Sequence, residues 1–149
     1  MKYTRELTNG FFIFLGISFY FLIIEFLGYS DVFLLRMFNA VFVIFGVNLT
    51  LQQNYKDKII GYFTNFKSAV LTSLVGAVLS VGSLLAYISF KGGDTFLKTL
   101  SNGFIFGGGE LSMYQYSIGL FFESAAASLM VSFCLMQYWK GKSADVASN

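Results

Sequence analysis

The chain has 149 residues, a length typical of one domain, but its composition excludes an ordinary soluble domain. Hydrophobic residues make up 56% of the chain and charged residues only 12%, too few charges to cover the surface of a soluble fold. The chain has one cysteine, which excludes an intrachain disulfide. It has no histidine and no pair of cysteines, so it lacks the usual ligands for zinc, haem and most transition metals. A net charge of +2 is too small to indicate nucleic-acid binding.

Four long, mainly apolar runs divide the chain; three match a membrane span in length, and the fourth does so when Glu123 and several residues before it are included. About 20 apolar residues cross a bilayer as a helix, and backbone groups in lipid must bond within their own segment. We therefore predict an all-α bundle of four transmembrane helices, at about 9–28, 32–54, 67–90 and 115–139. Residues 1–142 would form this transmembrane domain, and residues 143–149 a polar C-terminal tail.

The connections between the predicted spans are short. The first, GYSD, predicts an antiparallel hairpin, and the second leaves no room for a soluble domain. The third contains TFLKTLSNGFIF, in which Phe96, Leu97, Leu100 and Phe104 follow at spacings of one, four and eight residues. This spacing predicts a short helix along the outer interface. An irregular apolar loop packed on the bundle is the alternative, because Asn102-Gly103 breaks the pattern.

The basic residues predict the orientation of the chain, because cytoplasmic loops of membrane proteins carry an excess of lysine and arginine. Seven basic residues lie on one side of the predicted spans, namely Lys2, Arg5, Lys56, Lys58, Lys67, Lys140 and Lys142. Three lie on the other side, namely Arg36, Lys91 and Lys98. We therefore expect both termini inside, in a multi-pass protein of the bacterial inner (cytoplasmic) membrane.

Small residues recur every four positions in two of the predicted spans. In the third span they are Ser68, Thr72, Gly76 and Ser80; in the fourth they are Ser124, Ser128 and Ser132. Small residues at this spacing allow helix backbones to approach closely in lipid. We predict that these two spans pack together, or that one of them packs against another subunit.

The first two spans carry phenylalanine on nearly every face, which suits lipid contact, a broad partner interface or core packing within one chain.

Asparagine side chains lie inside the second predicted span. Asn39 and Asn48 are nine residues apart, so they lie at different depths. Each needs a hydrogen-bond partner in lipid. Either they hold neighbouring helices together, or they line a pathway for a polar substrate.

Three charged residues lie within the predicted membrane region. Glu25 and Arg36 are almost level across the GYSD hairpin, and Glu123 lies about one turn below the same surface. An ionised side chain at this depth needs a protein or water partner. We predict that Arg36 pairs with Glu25 and that Glu123 joins this cluster. The cluster would serve as a structural ion pair or bind a proton or cation, unless each side chain reaches the interface separately.

The connection into the third span carries a resemblance to a known family. The stretch NYKDKIIGYFTNFKSAVLTSLVGAVLS places a glycine and a short aromatic-polar segment before a helix of small residues. In this, and in its overall layout, the chain resembles a family of small uncharacterised four-helix inner-membrane proteins of Bacteroidetes-type bacteria. The resemblance implies the same four-helix layout and supplies no catalytic residues. This chain departs from it in having no proline near the outer loop.

Two classes of function fit these features. The first is a non-catalytic accessory or structural subunit of a larger inner-membrane complex, in contact with lipids and with other membrane subunits. The second is an oligomeric small transporter or channel that binds a proton or cation on Glu25 and Glu123. No catalytic or cofactor motif indicates an enzyme.

The orientation can be tested with reporters that are active only outside the cytoplasm. We expect such a reporter to be silent when it is fused after Lys142 and active when it is inserted near Gly93, because of the excess of basic residues on the side of the termini. The reverse pattern would contradict the predicted orientation.

Overall fold

In a computed structural model, which describes residues 3–30, 32–101 and 112–147, the chain forms helices and no strand within those ranges. The helices are α1 (Tyr3–Phe26), α2 (Phe33–Met37), α3 (Asn39–Lys56), α4 (Tyr62–Lys91), α5 (Asp94–Ser101) and α6 (Met113–Ala147). Four segments are long and apolar enough to cross a membrane: α1, α4, residues Leu34–Lys56 and residues Met113–Gly141. The prediction of an all-helical chain with four candidate membrane spans is confirmed.

The helix ends differ from the predicted ones in ways that matter for function. Helix α1 begins at Tyr3 rather than near residue 9, so it includes two charged residues that the prediction left outside the span. The second predicted span is interrupted at Phe38, whose backbone N–H bonds three residues back to Leu35. At the other terminus, α6 continues to Ala147 through most of the predicted polar tail.

The connection between α1 and α2 is as tight as predicted. Gly28 has a φ of +78°, a conformation that glycine adopts without a steric penalty. Its N–H bonds to the carbonyl of Glu25 at 2.9 Å, and the N–H of Tyr29 bonds to the carbonyl of Ile24 at 3.0 Å. This arrangement ends α1 and satisfies two of its last carbonyls. Asp31 lies outside the described residues.

Helices α3 and α4 form the centre of the bundle. Each packs against α1 and α6 as well as against the other, so α1 and α6 lie on opposite sides of this central pair. The end that holds the α1–α2 connection and α5 is named the hairpin end. The opposite end, where α1 begins and α3 connects to α4, is named the N-terminal end.

Glycines allow three of the helices to approach closely around Ile13. This α1 side chain is 1% exposed and lies between Gly46 of α3 and Gly76 of α4. A Cβ atom on Gly76 would lie 2.7 Å from Cγ2 of Ile13, and one on Gly46 would collide with the same side chain. Gly76 therefore makes a close approach as predicted, but to α1, whereas α4 packs against α6 through other residues such as Ala69.

Replacement of Gly76 by leucine tests this packing. We expect Gly76→Leu to lower the free energy of unfolding in detergent by about 1–3 kcal/mol, because Ile13 occupies the space that the new side chain needs. Gly82→Leu is the matched control in the same helix, since no atom lies within 4 Å of a Cβ built there. Equal stability of the two variants would contradict the proposed contact.

Candidate functional site

A cavity of about 440 Å³ lies between the helices at the hairpin end. All four spans contribute to its walls, and small residues such as Ala40, Ala77 and Ala127 leave the space open. Its lining is mainly apolar, but it includes a set of polar residues: Ser18, Arg36, Asn39, Ser80, Tyr87, Tyr116, Glu123, Ser124 and Ser128. A mainly apolar pocket with a few polar groups is typical of small-molecule sites.

Arg36 enters this cavity from α2. Its guanidinium carbon lies 5.9 Å from the ring centre of Tyr116, within the range of a cation–π contact. Tyr116 is 2% exposed and is held beside Ile88 and Leu97. The Nη1 atom of Arg36 is buried and has no hydrogen-bond partner.

Glu123 lines the same cavity from α6, two helical turns beyond Tyr116. Its side chain is partly buried. No nitrogen of Arg36 lies within 4.0 Å of a carboxylate oxygen in the part of the chain that the structure describes. The structure therefore brings the two opposite charges to one cavity without joining them as an ion pair.

The predicted ion pair between Arg36 and Glu25 is wrong. Glu25 lies 3.4 Å from Nζ of Lys91 and accepts a hydrogen bond from the hydroxyl of Tyr87, and both partners belong to α4. The physical reason is the packing of the helices: the end of α1 lies against α4, so Glu25 faces that helix instead of the adjacent α2. Because the Lys91 side chain is half exposed, this ion pair adds little stability.

The two asparagines have different surroundings. Asn48 accepts a hydrogen bond of 2.9 Å from the indole N–H of Trp139, so it joins α3 to α6. Asn39 lines the cavity, and its Oδ1 atom is buried without a hydrogen-bond partner. Ser80 also lines the cavity, and its Oγ atom is likewise buried without a hydrogen-bond partner. Buried polar atoms without partners are rare in folded proteins, and three of them occur in residues of this one cavity.

A second polar cluster, at the N-terminal end, was not predicted from the sequence. Arg5 of α1 donates to the side chains of Asp57 and Asn54, each at 2.5 Å. Asn54 in turn donates to Asn65 and to Ser68 of α4, each at 3.0 Å. These contacts join three helices through side chains of which Asn54, Asn65 and Ser68 are fully buried.

Glu6 lies at the centre of this cluster and is fully buried. One of its oxygens accepts a hydrogen bond from Ser68, and the other, Oε2, has no partner. One turn further along α1, Asn9 donates to Thr50 at 2.9 Å, and the hydroxyls of Thr50 and Thr72 are 3.0 Å apart. The prediction missed Glu6 because it placed the residue before the first span. The signal was its position one turn before Asn9, on the same helix face.

The small residues have several roles. Ser68 and Thr72 belong to the polar cluster, and Gly76 packs on α1. Ser80 and Ser124 line the cavity, so they leave space between helices instead of closing it. In α6, Ser128 and Ser132 are buried, although Ser128 also lines the cavity and the Oγ atom of Ser132 has no hydrogen-bond partner.

The predicted short helix of the third connection is present as α5. Its Leu97 is buried against Ile88 of α4 and Tyr116 of α6, so the helix packs on the hairpin end of the bundle. Phe104 and the Asn102-Gly103 pair lie outside the described residues. The position of α5 relative to a membrane surface stays a prediction.

The residues that the structure describes contain no cluster of three or more aspartate, glutamate, histidine or cysteine side chains that could hold a metal ion. In comparisons with known proteins, no protein-family model matches the chain, and no curated protein or solved structure matches it either.

The contribution of the N-terminal cluster can be measured with Asn54→Leu. We expect this change to lower the free energy of unfolding by about 1–3 kcal/mol, because it removes the donor that bonds to the buried Oδ1 atom of Asn65 and one of the two hydrogen bonds of Ser68. Gln52→Leu, at an exposed position of the same helix, is the control and should change stability little. A fully stable Asn54→Leu variant would show that the cluster does not hold this end of the bundle together.

Proposed function

We propose that the chain is a non-catalytic, multi-pass protein of the bacterial inner membrane that serves as an accessory subunit of a larger complex, with both termini in the cytoplasm. The supporting observation is the exposure of α6. Only 11% of its most apolar 18-residue stretch is buried, against 22–28% in the other three spans. This helix therefore has the most surface for a neighbouring membrane protein.

Part of the exposed surface of α6 forms one continuous face. Each of its members is three or four residues from another member, and they are Phe122, Ala126, Leu129, Met130, Phe133 and Gln137, all exposed. Large side chains on this face, such as Phe122 and Met130, are each 67% exposed. The small residue Ala126 among them would let a partner helix approach closely. We propose that this α6 face binds the larger subunit.

Photo-crosslinking from defined positions in the native membrane tests the accessory role. A crosslinking residue at Phe122 or Met130 is expected to capture a larger membrane protein. One at Phe19 of α1, which is 66% exposed, serves as the matched control and should capture lipid. Purification in mild detergent should recover the captured protein in a fixed ratio to this chain. Adducts confined to lipid, or to a second copy of this chain, would contradict the accessory role.

The cavity favours a second candidate function, a small oligomeric transporter or channel. Glu123 lines the cavity without an ion pair to Arg36, whereas Glu25 is already paired with Lys91. Of the two carboxylates predicted to bind a proton or cation, Glu123 is therefore the better candidate.

The transport role predicts that protein in liposomes passes a proton or cation current. We expect Glu123→Gln to abolish this current, because the amide cannot exchange a proton or neutralise a cation. Glu25→Gln is the control and should retain most of it. The absence of current in the unchanged protein would exclude the transport role and leave the accessory role standing.

A further inference from the structure

We propose that the cavity at the hairpin end binds a small organic zwitterion, with its acid group on Arg36 and its ammonium group on Glu123. The acid and ammonium groups of this ligand would be separated by a short apolar chain, as in an ω-amino acid. This proposal stands on the cavity alone and does not rest on the accessory role.

Two opposite charges line the cavity. One arginine and one glutamate line its walls, and they are not ion-paired with each other. A charged side chain in a membrane interior is costly without a partner. A ligand with a single charge would satisfy one of these residues and leave the other unpaired. A zwitterion would supply a partner for both and leave the net charge of the cavity unchanged.

The buried polar atoms that lack hydrogen-bond partners could bond to the acid group of this ligand. Nη1 of Arg36 is a donor that suits a carboxylate or phosphate oxygen. Asn39 follows Arg36 by three residues and lines the same cavity, and its Oδ1 atom also lacks a partner. Ser80, on the α4 side, adds a hydroxyl that can donate or accept.

The distance between the two charges indicates the length of the ligand. Arg36 lies beside the ring of Tyr116, and Glu123 follows Tyr116 by two helical turns, about 10 Å along the helix. Helical side chains lean towards the N-terminus of their helix, which brings the Glu123 carboxylate closer to Arg36. Because no nitrogen of Arg36 lies within 4.0 Å of the Glu123 carboxylate, we assign to this cavity a ligand whose charges are further apart than those of an α-amino acid. Apolar cavity residues such as Leu84 and Leu120 would contact the methylene groups between the two ends.

The order of the two charges favours a free small molecule over a lipid headgroup. Glu123 lies further from the hairpin end than Arg36, and therefore deeper in a membrane entered from that end. In a zwitterionic lipid the ammonium lies outside the phosphate, which is the opposite order. A lipid in its normal orientation could not place its ammonium group on Glu123 while its phosphate contacts Arg36.

Calorimetric titration of the purified protein in detergent tests the proposal with three probes of equal chain length. 5-Aminovalerate carries both charges, valerate only the acid and pentylamine only the ammonium. We expect 5-aminovalerate to bind about tenfold more tightly, or more, than either single-charge probe, since each charged contact contributes. Equal affinities for 5-aminovalerate and valerate would overturn the proposal.

Variants assign the two ends of the ligand. Glu123→Gln should reduce the affinity for 5-aminovalerate to the level of valerate, and the affinity for valerate itself should not change. Arg36→Gln should reduce the affinity for 5-aminovalerate to the level of pentylamine. Glu25→Gln, a carboxylate at the same end but paired with Lys91, should leave all three affinities unchanged. An unchanged affinity in Glu123→Gln would refute the assignment. If a variant fails to fold, the affinities of the three probes for the unchanged protein still test whether the cavity binds a zwitterion.

A final measurement distinguishes the free zwitterion from a lipid headgroup. The affinity for 5-aminovalerate is compared in nanodiscs of phosphatidylglycerol alone and in nanodiscs that also contain phosphatidylethanolamine. We expect the same affinity in both. Weaker binding in the presence of phosphatidylethanolamine would show that the headgroup competes for the cavity, and would overturn the proposal of a free small molecule.

Discussion

The hydrogen bond between Ser68 and Glu6 joins α1 to α4 within the buried polar cluster at the N-terminal end of the bundle. Asn54 brings α3 into the same contact through its own bond to Ser68. A fully buried carboxylate is stable only with hydrogen bonds or a nearby positive charge. Ser68 supplies such a bond to one oxygen of Glu6, and Arg5 joins the same cluster through its bonds to Asn54 and Asp57. These polar contacts therefore depend on one another.

Close packing of apolar groups continues from this cluster towards the middle of the bundle. Gly10, Gly46 and Gly76 let α1, α3 and α4 approach until Ile13 fills the space between them. In lipid, apolar surface by itself gives helices little reason to associate, so close packing and interhelical hydrogen bonds must hold them together. The N-terminal half of the bundle has both, and this accounts for its closure.

In the hairpin half, close packing and interhelical hydrogen bonds are less complete, and this accounts for the cavity. Polar residues are present there, but Arg36, Asn39 and Ser80 each have a buried atom without a partner, whereas in the N-terminal cluster only the Oε2 atom of Glu6 is in this state among the described residues. Ser80 and Ser124 line open space, although they continue the same four-residue pattern that packs tightly at the other end. Because the N-terminal half is held firmly, the hairpin half can carry these unsatisfied groups, which is the usual relation between a stable scaffold and a binding site.

The sequence alone determined the parts of this structure that depend on composition and on the run length of apolar residues. Four apolar runs predicted four long helical spans, and the short GYSD connection predicted the tight turn, because these features depend on local chemistry. The partners of the charged side chains depended on how the helices pack. Glu25 was predicted to meet Arg36 but contacts Lys91, because neighbours in the chain are not always neighbours across the bundle. The sequence placed Glu6 before the first predicted span. In the tertiary structure α1 includes Glu6, and its side chain is buried among α1, α3 and α4. The cavity, too, arises only where four helices separate, which no run of residues in one helix records.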